Sequence, residues 1–280
     1  MLLVPAFLLA LLLPQTPPPT APALDAPALW QRVCAASGSA AREPVQAFLL
    51  QADVLTRSGV QSNQLRIDFR YLAPDCVRFM LPSKNETGRS GPRPEDYWLR
   101  SGDDVVVLAG REYQEDRRKV DDMLTLARNY VALSAPARLK LTNLSLAGVP
   151  ADLGSELEKR TKKLAWIAFD SPDFALVQRN ADAGPMAGDY HVELGLREDF
   201  LPGVAIVRAA EAARADPFLV EFSKYEERDG FKIPIVLLVH AFDRARSPAA
   251  FQASPAQEVY LTSAALRPAL KVEDFKPKRN

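Results

Sequence analysis

Between Gln64 and Leu81 the chain reads QLRIDFRYLAPDCVRFML. In its first half Leu65, Ile67, Phe69 and Tyr71 alternate with Gln64, Arg66, Asp68 and Arg70. A period of two places the four apolar side chains on one face of a pleated strand and the charges on the other. The chain then turns at Ala73-Pro74-Asp75 and runs back through Cys76 to Leu81. One greasy and one wet face describe an antiparallel hairpin in a sheet covered on one side.

Composition supports a large sheet protein. Of 280 residues 48% are hydrophobic and 25% charged, enough for a core and too apolar for disorder. Lys plus Arg and Asp plus Glu each number 35, so no net field favours nucleic acid or an anionic membrane. The first residues, MLLVPAFLLALLLP, hold an apolar run too short to span a bilayer, followed by a small-residue site at Ala21-Pro22-Ala23. This reads as a secretory signal peptide running into a Pro-rich linker over residues 1–23, with one domain over 24–280. No cysteine follows the apolar run, so a lipid anchor is not expected. The expectation is export from the cytoplasm, with peripheral or no membrane contact.

Along the chain, Asp25 precedes Pro27 and an apolar stripe of Trp30, Val33 and Cys34, which predicts a helix over 26–36. Strands are expected over 45–57, 97–100 and 104–108. Residues 115–134 switch period: Val120, Met123, Leu124, Ala127, Tyr130 and Val131 recur at three and four, an amphipathic helix ended by Pro136. Within 138–180 the pattern is weaker. Residues 139–146 alternate faintly, Ser155 and Glu158 suggest a capping box for a helix over 155–163, and 165–169 and 174–179 are candidate strands. Further strands are expected over 190–197, 204–207, 218–226, 232–242 and 259–261, with Asp229-Gly230 as a hairpin turn.

Signatures of familiar chemistry are missing: the sequence has no GxSxG, GxxxxGK, GxGxxG or HExxH. His191 and His240 are the only histidines, far apart in strand-like runs, so no metal site is expected and no cofactor is implied. They are also the only imidazole bases a hydrolase triad could use, and structural roles suit them better. Glu193, Glu221 and Glu226 fall where the wet face of a sheet needs charge. Cys34 and Cys76 fit equally a disulfide or two buried thiols. The chain is therefore read as a non-enzyme.

The order of elements, with RYLAPDCVRFML, YWLRSGDDVVVL, DGFKIPIVLLV and the terminal VEDFKP, resembles the LolA/LolB superfamily of outer-membrane lipoprotein-sorting proteins. Pro74, Phe79, Trp98, Gly102 and Tyr113 occupy places comparable to the family's hairpin motifs. Where the family's carriers place arginine directly before the first proline, this chain has Ala73. The resemblance implies a mainly β fold with some α: a single curved, unclosed antiparallel sheet, a half-barrel, with helices covering the concave face. It implies a periplasmic carrier or chaperone of lipoproteins or other acylated ligands, working as a monomer. The cavity lining would be Leu65, Ile67, Phe69, Phe79, Trp98, Met123 and Phe222. A tight cover would make the same residues core, and the chain would then be an exported envelope module that binds a protein partner.

Overall fold

The computed structural model describes residues 25–40, 46–58, 61–73, 76–80, 97–101, 104–107, 129–130, 132–174, 176, 189–209, 215–266 and 268–275. The signal-peptide and linker reading of 1–23 lies outside them, as does most of the helix expected over 115–134.

Helix α1 spans Ala26–Ala36. Asp25 caps it as the sequence suggests, its carboxylate accepting from Ala28 N at 2.8 Å. The helix buries Ala26, Leu29, Val33 and Cys34. Then come β1 (Ala47–Ser58), β2 (Gln61–Leu72), β3 (Cys76–Met80), β4 (Tyr97–Ser101) and β5 (Asp104–Val107). Residues 129–130 and 132–134 are helical and buried. The second half holds β6 (Thr142–Ala147), helix α2 (Gly154–Thr161), β7 (Ala165–Ser171), β8 (Tyr190–Leu196), β9 (Pro202–Ala209), β10 (Phe218–Arg228) and β11 (Phe231–His240). The short β12 (Phe242–Asp243) and β13 (Ala250–Phe251) precede β14 (Gln257–Leu266).

Twelve of these strands form one sheet in the order β5-β4-β3-β2-β1-β14-β11-β10-β9-β8-β7-β6, with every neighbouring pair antiparallel. β5 and β6 end the order and do not pair with each other, so the sheet is curved but unclosed. It is two meanders, β1–β5 and β6–β11, joined by the last strand. β14 inserts between β1 and β11, giving the chain's end a central structural role. The expectation of a short last strand over 259–261 is thus too small. Ser263, Ala264 and Ala265 carry no apolar alternation, and a bulge at Gln51/Ala52 absorbs their register.

The Asp229-Gly230 turn forms as expected, with φ of 50° and 77°, the left-handed pair of a type I′ hairpin. Gly38, at φ 74°, brings the end of α1 against it: a Cβ there would lie 2.3 Å from Gly230 O. Lys232 N donates to Ser37 O at 3.0 Å, tying α1 to β11. Pro234 sits beside bulges in β10 and outside the β14 pairing of β11, so its missing N–H costs no ladder bond on that side.

The concave face holds the main core, from Phe48, Phe69 and Val77 through Phe231, Ile233 and Phe222 to Val192 and Phe169. α1 and the helical residues of 129–134 pack on it: Trp30 meets Phe169 with ring centres 5.2 Å apart, and Tyr130 meets Phe48 at 5.8 Å. The wet face of β1–β2 is as read, with Arg66 bonded to Asp53 at 3.0 Å. β7–β10 differ from that one-sided pattern. Their convex face carries a second apolar layer in which Leu153 and Leu157 of the α2 region and Phe251 of β13 cover Trp166, Val204, Ile206 and Leu219. α2 also starts differently from the expected capping box: Leu153 is its N-cap with no side-chain bond, and Ser155 lies inside the helix. Burial of Leu157 at the outer layer, rather than a cap, fixes the helix in place.

Candidate functional site

The candidate site is the middle of the concave face. Backbone register aligns strand positions there in cross-strand rows. One row runs Phe222, Leu237, Val259, Val54 and Leu65 across β10, β11, β14, β1 and β2. A second holds Leu261, Ala52 and Ile67. A third runs Ala264, Leu50, Phe69, Phe79, Trp98 and Val107 to the β5 edge. Six of the seven residues singled out from the sequence thus fall in three adjacent rows. Phe69 and Phe222 are buried in the core, Leu65, Ile67, Phe79 and Trp98 are located here by backbone register, and Met123 lies outside the described residues.

Burial across this face is uneven. Phe48, Phe231 and Ile233 are fully enclosed at 0%, whereas Leu50, Ala52, Val54, Phe69 and Ile235 keep 7–8% and Leu261 and Ala264 are only partly buried. β14 is a central strand, where the covered face of a sheet is normally driest. Two alanines in that belt, Ala52 and Ala264, add little volume above the backbone. Sequence reasoning passed over Leu50, Ala52, Leu237, Val259, Leu261 and Ala264. Alternation over 45–57 marks the first two, but nothing local marks Ala264.

The roof is held by polar contacts inside an apolar shell. Tyr130 Oη donates to Pro234 O at 3.3 Å, and burial pushes its phenol well above the ordinary tyrosine range. Ser37 and Ser39 share a hydroxyl contact at 2.8 Å, and Ser39 Oγ accepts from Ala137 N at 3.1 Å, which joins α1 to the turn at Pro136–Arg138. At the α1 rim Arg32 stands 5.0 Å over the Phe200 ring, and Arg197 stands 5.7 Å over Tyr225. Cys34 and Cys76 are separate buried thiols, not a disulfide, and burial pushes the Cys34 thiol up to about 11.

The two histidines and their carboxylate partners lie on the opposite, convex face. His191 Nδ1 is 2.9 Å from Asp170 Oδ1, and Asn143 donates to the other carboxylate oxygen at 2.6 Å. These two contacts hold Asp170 below the usual carboxylate range, the Asn143 bond foremost. Arg208 donates to both Asp152 oxygens at 2.6 and 2.8 Å and to Glu193 at 2.7 Å. His240 is enclosed between Gln252 O and Glu221. The imidazoles meet carboxylate and carbonyl oxygens, which suits pinning strands and layers together. Among the described residues no group of three or more His, Cys, Asp or Glu side chains is placed to hold a metal ion.

No family model matches the chain, and no curated protein matches it. Among solved structures it is similar to a LolA superfamily protein from Nitrosomonas europaea, at 12% identity over 91% of this chain and 99% of that one, TM-score 0.45. It is similar to a DUF1329 family protein from Desulfovibrio piger at 10% identity over 90% and 97%, TM-score 0.45. A domain from Vibrio parahaemolyticus, described as a putative outer-membrane lipoprotein-sorting protein, matches at 9% identity over 88% and 94%, TM-score 0.43. One of the three, the Nitrosomonas europaea protein, is from the superfamily that the hairpin motifs resemble.

Proposed function

We propose that this protein is a non-enzymatic carrier whose concave face takes the acyl chain of a lipid-modified protein or other acylated ligand. The observation that carries the reading is the belt of partly buried Leu261 and Ala264 on the central strand, beside the buried Leu50, Ala52 and Ile235. An acyl chain laid along that belt gains about 0.8 kcal/mol for each methylene it buries, against the cost of association. Leu65, Ile67, Phe69, Phe79, Trp98, Met123 and Phe222 are the proposed lining, and the carrier works as a monomer in the periplasm after export. Among the described residues no helix is long and apolar enough to cross a membrane. The test is native mass spectrometry of purified protein, together with thermal shift in the presence of an acylated peptide and its unacylated twin. Retained acyl adducts and a melting shift with the acylated peptide alone are expected. Adduct-free protein with no shift refutes the reading.

A second reading, an exported module that binds an envelope protein, is favoured by the convex face beyond the α2 layer. There Leu55, Leu238 and the 41% exposed Tyr260 leave apolar surface open to water. Tyr260→Ser and Leu238→Ser separate the two: they leave acyl binding intact on the carrier reading.

A further inference from the structure

Along its middle strands the concave face changes from closed to open. In β1 the side chains on that face run from fully enclosed Phe48, through buried Leu50, Ala52 and Val54, to part-exposed Thr56. In β11 they run from fully enclosed Phe231 and Ile233 to part-exposed Val239. The closed end is held by Tyr130 against Phe48 and by the bond from Lys232 N to Ser37 O. The open end is one cross-strand row, Val239, Gln257 and Thr56 of β11, β14 and β1. Val239 packs against the main core, and residues directly opposite in antiparallel strands share a face. Gln257 and Thr56 therefore stand on the concave face, beside the row of Leu237, Val259 and Val54. We propose, resting on the carrier reading, that Thr56 and Gln257 hold the uncharged ester or amide group that joins an acyl tail to its ligand, with the tail running toward Phe48.

The residue types suit that role. A carboxamide offers two donor hydrogens and an acceptor oxygen, and a hydroxyl offers one donor. Among the described residues neither side chain is engaged in a hydrogen bond with another. An ester or amide carbonyl that leaves water needs such a donor, because burying it unpaired is costly. The row itself carries no charge, so a phosphate or carboxylate head group finds no counter-ion in it. Glu258, next along β14, accepts from Tyr260 on the other face. Length suits the role as well. From Thr56 to Leu50 along β1 is about 20 Å at a strand's rise per residue, which an extended tail of about sixteen carbons spans. A tail held by its linkage at Thr56 and Gln257 thus ends at Leu50 and Ala264, which pair across β1 and β14.

The test uses the full chain and three twins of one peptide: a hexadecanoyl amide, a hexadecanoyl ester, and a hexadecyl ether that lacks the carbonyl. Wild type should bind the acyl twins about 2- to 10-fold tighter than the ether, the range of one net hydrogen bond. Gln257→Leu and Thr56→Val should each shrink that preference. A preference shared by both acyl twins supports the site, and one confined to the amide or to the ester supports it and names the linkage. Equal binding of all three twins by wild type, or a preference undiminished in both variants, overturns it. A measurement on wild type alone decides should the variants fail to fold: methyl NMR with a nitroxide on the peptide residue that bears the tail. The Thr56 and Val239 methyls should broaden most, and those of Leu50 and Ala264 least. The reverse order overturns the direction of the tail, while tail-dependent binding leaves the carrier reading standing. Equal binding of acylated and unacylated peptide removes both.

Discussion

Replacing Ala264 with leucine tests the concave belt through the sign of one number. Ala264 faces inward opposite Leu50, one row from Leu261, and both are less enclosed than Phe48 beside them. If space lies above it, the added carbons move from water into an apolar groove, a gain of up to about 2 kcal/mol on transfer. Part of this is cancelled by the side-chain entropy of leucine, about 0.5–1 kcal/mol. The variant should therefore be as stable as wild type or more stable by about 1 kcal/mol. If the belt is packed to crystal-like density, the same carbons force neighbours off their rotamers and cost about 1–3 kcal/mol. Urea unfolding with a common m-value reads the difference directly. On the carrier reading the filled groove also loses acylated peptide, with at least a tenfold rise in Kd while the fold is retained. A clearly destabilised Ala264→Leu chain would refute the open belt, and an unaltered Kd would place the ligand elsewhere.

Other expectations follow from single contacts. Gly38→Ala should cost about 2–4 kcal/mol, since it adds a left-handed non-glycine residue and drives a Cβ to 2.3 Å from Gly230 O; chemical denaturation measures it. Asp170 is held low by Asn143 and His191, so its contribution is present above the ordinary carboxylate range and is lost as pH falls through its lowered value. Acid unfolding of Asp170→Asn should be flatter than that of wild type, and identical curves would refute the assignment. Cys34, pushed up to about 11 by burial, should react with a thiol reagent at about pH 8 no faster than the protein opens, and burst labelling of native protein would contradict its enclosure.

Much of the sheet was legible because local signals agreed. Strict alternation from Leu65 to Tyr71 set the inward rows, Asp229-Gly230 set the turn, and Asp25 with Pro27 set α1. The convex layer was not read, although a trace of it exists. Ala165 to Phe169 and Val204 to Val207 are continuous apolar runs, the pattern of strands buried on both faces, with Trp166, Val204 and Ile206 turned outward. The central place of β14 had no local trace. Its inner face is set by a bulge and by partners more than 200 residues away in sequence, such as Gln51 for Thr262. The candidate site shows the same division. Alternation marked Phe69, while the enclosure differences that define the belt depend on what lies above each residue in space.

The most direct measurement is methyl NMR with an acylated peptide carrying a nitroxide at the far end of its acyl chain. The account predicts strong broadening of Leu50, Leu261 and Ala264 and none of Leu157 or Val272, which lie away from the belt. Broadening spread evenly over the surface, or concentrated on the convex face, would contradict a concave acyl site.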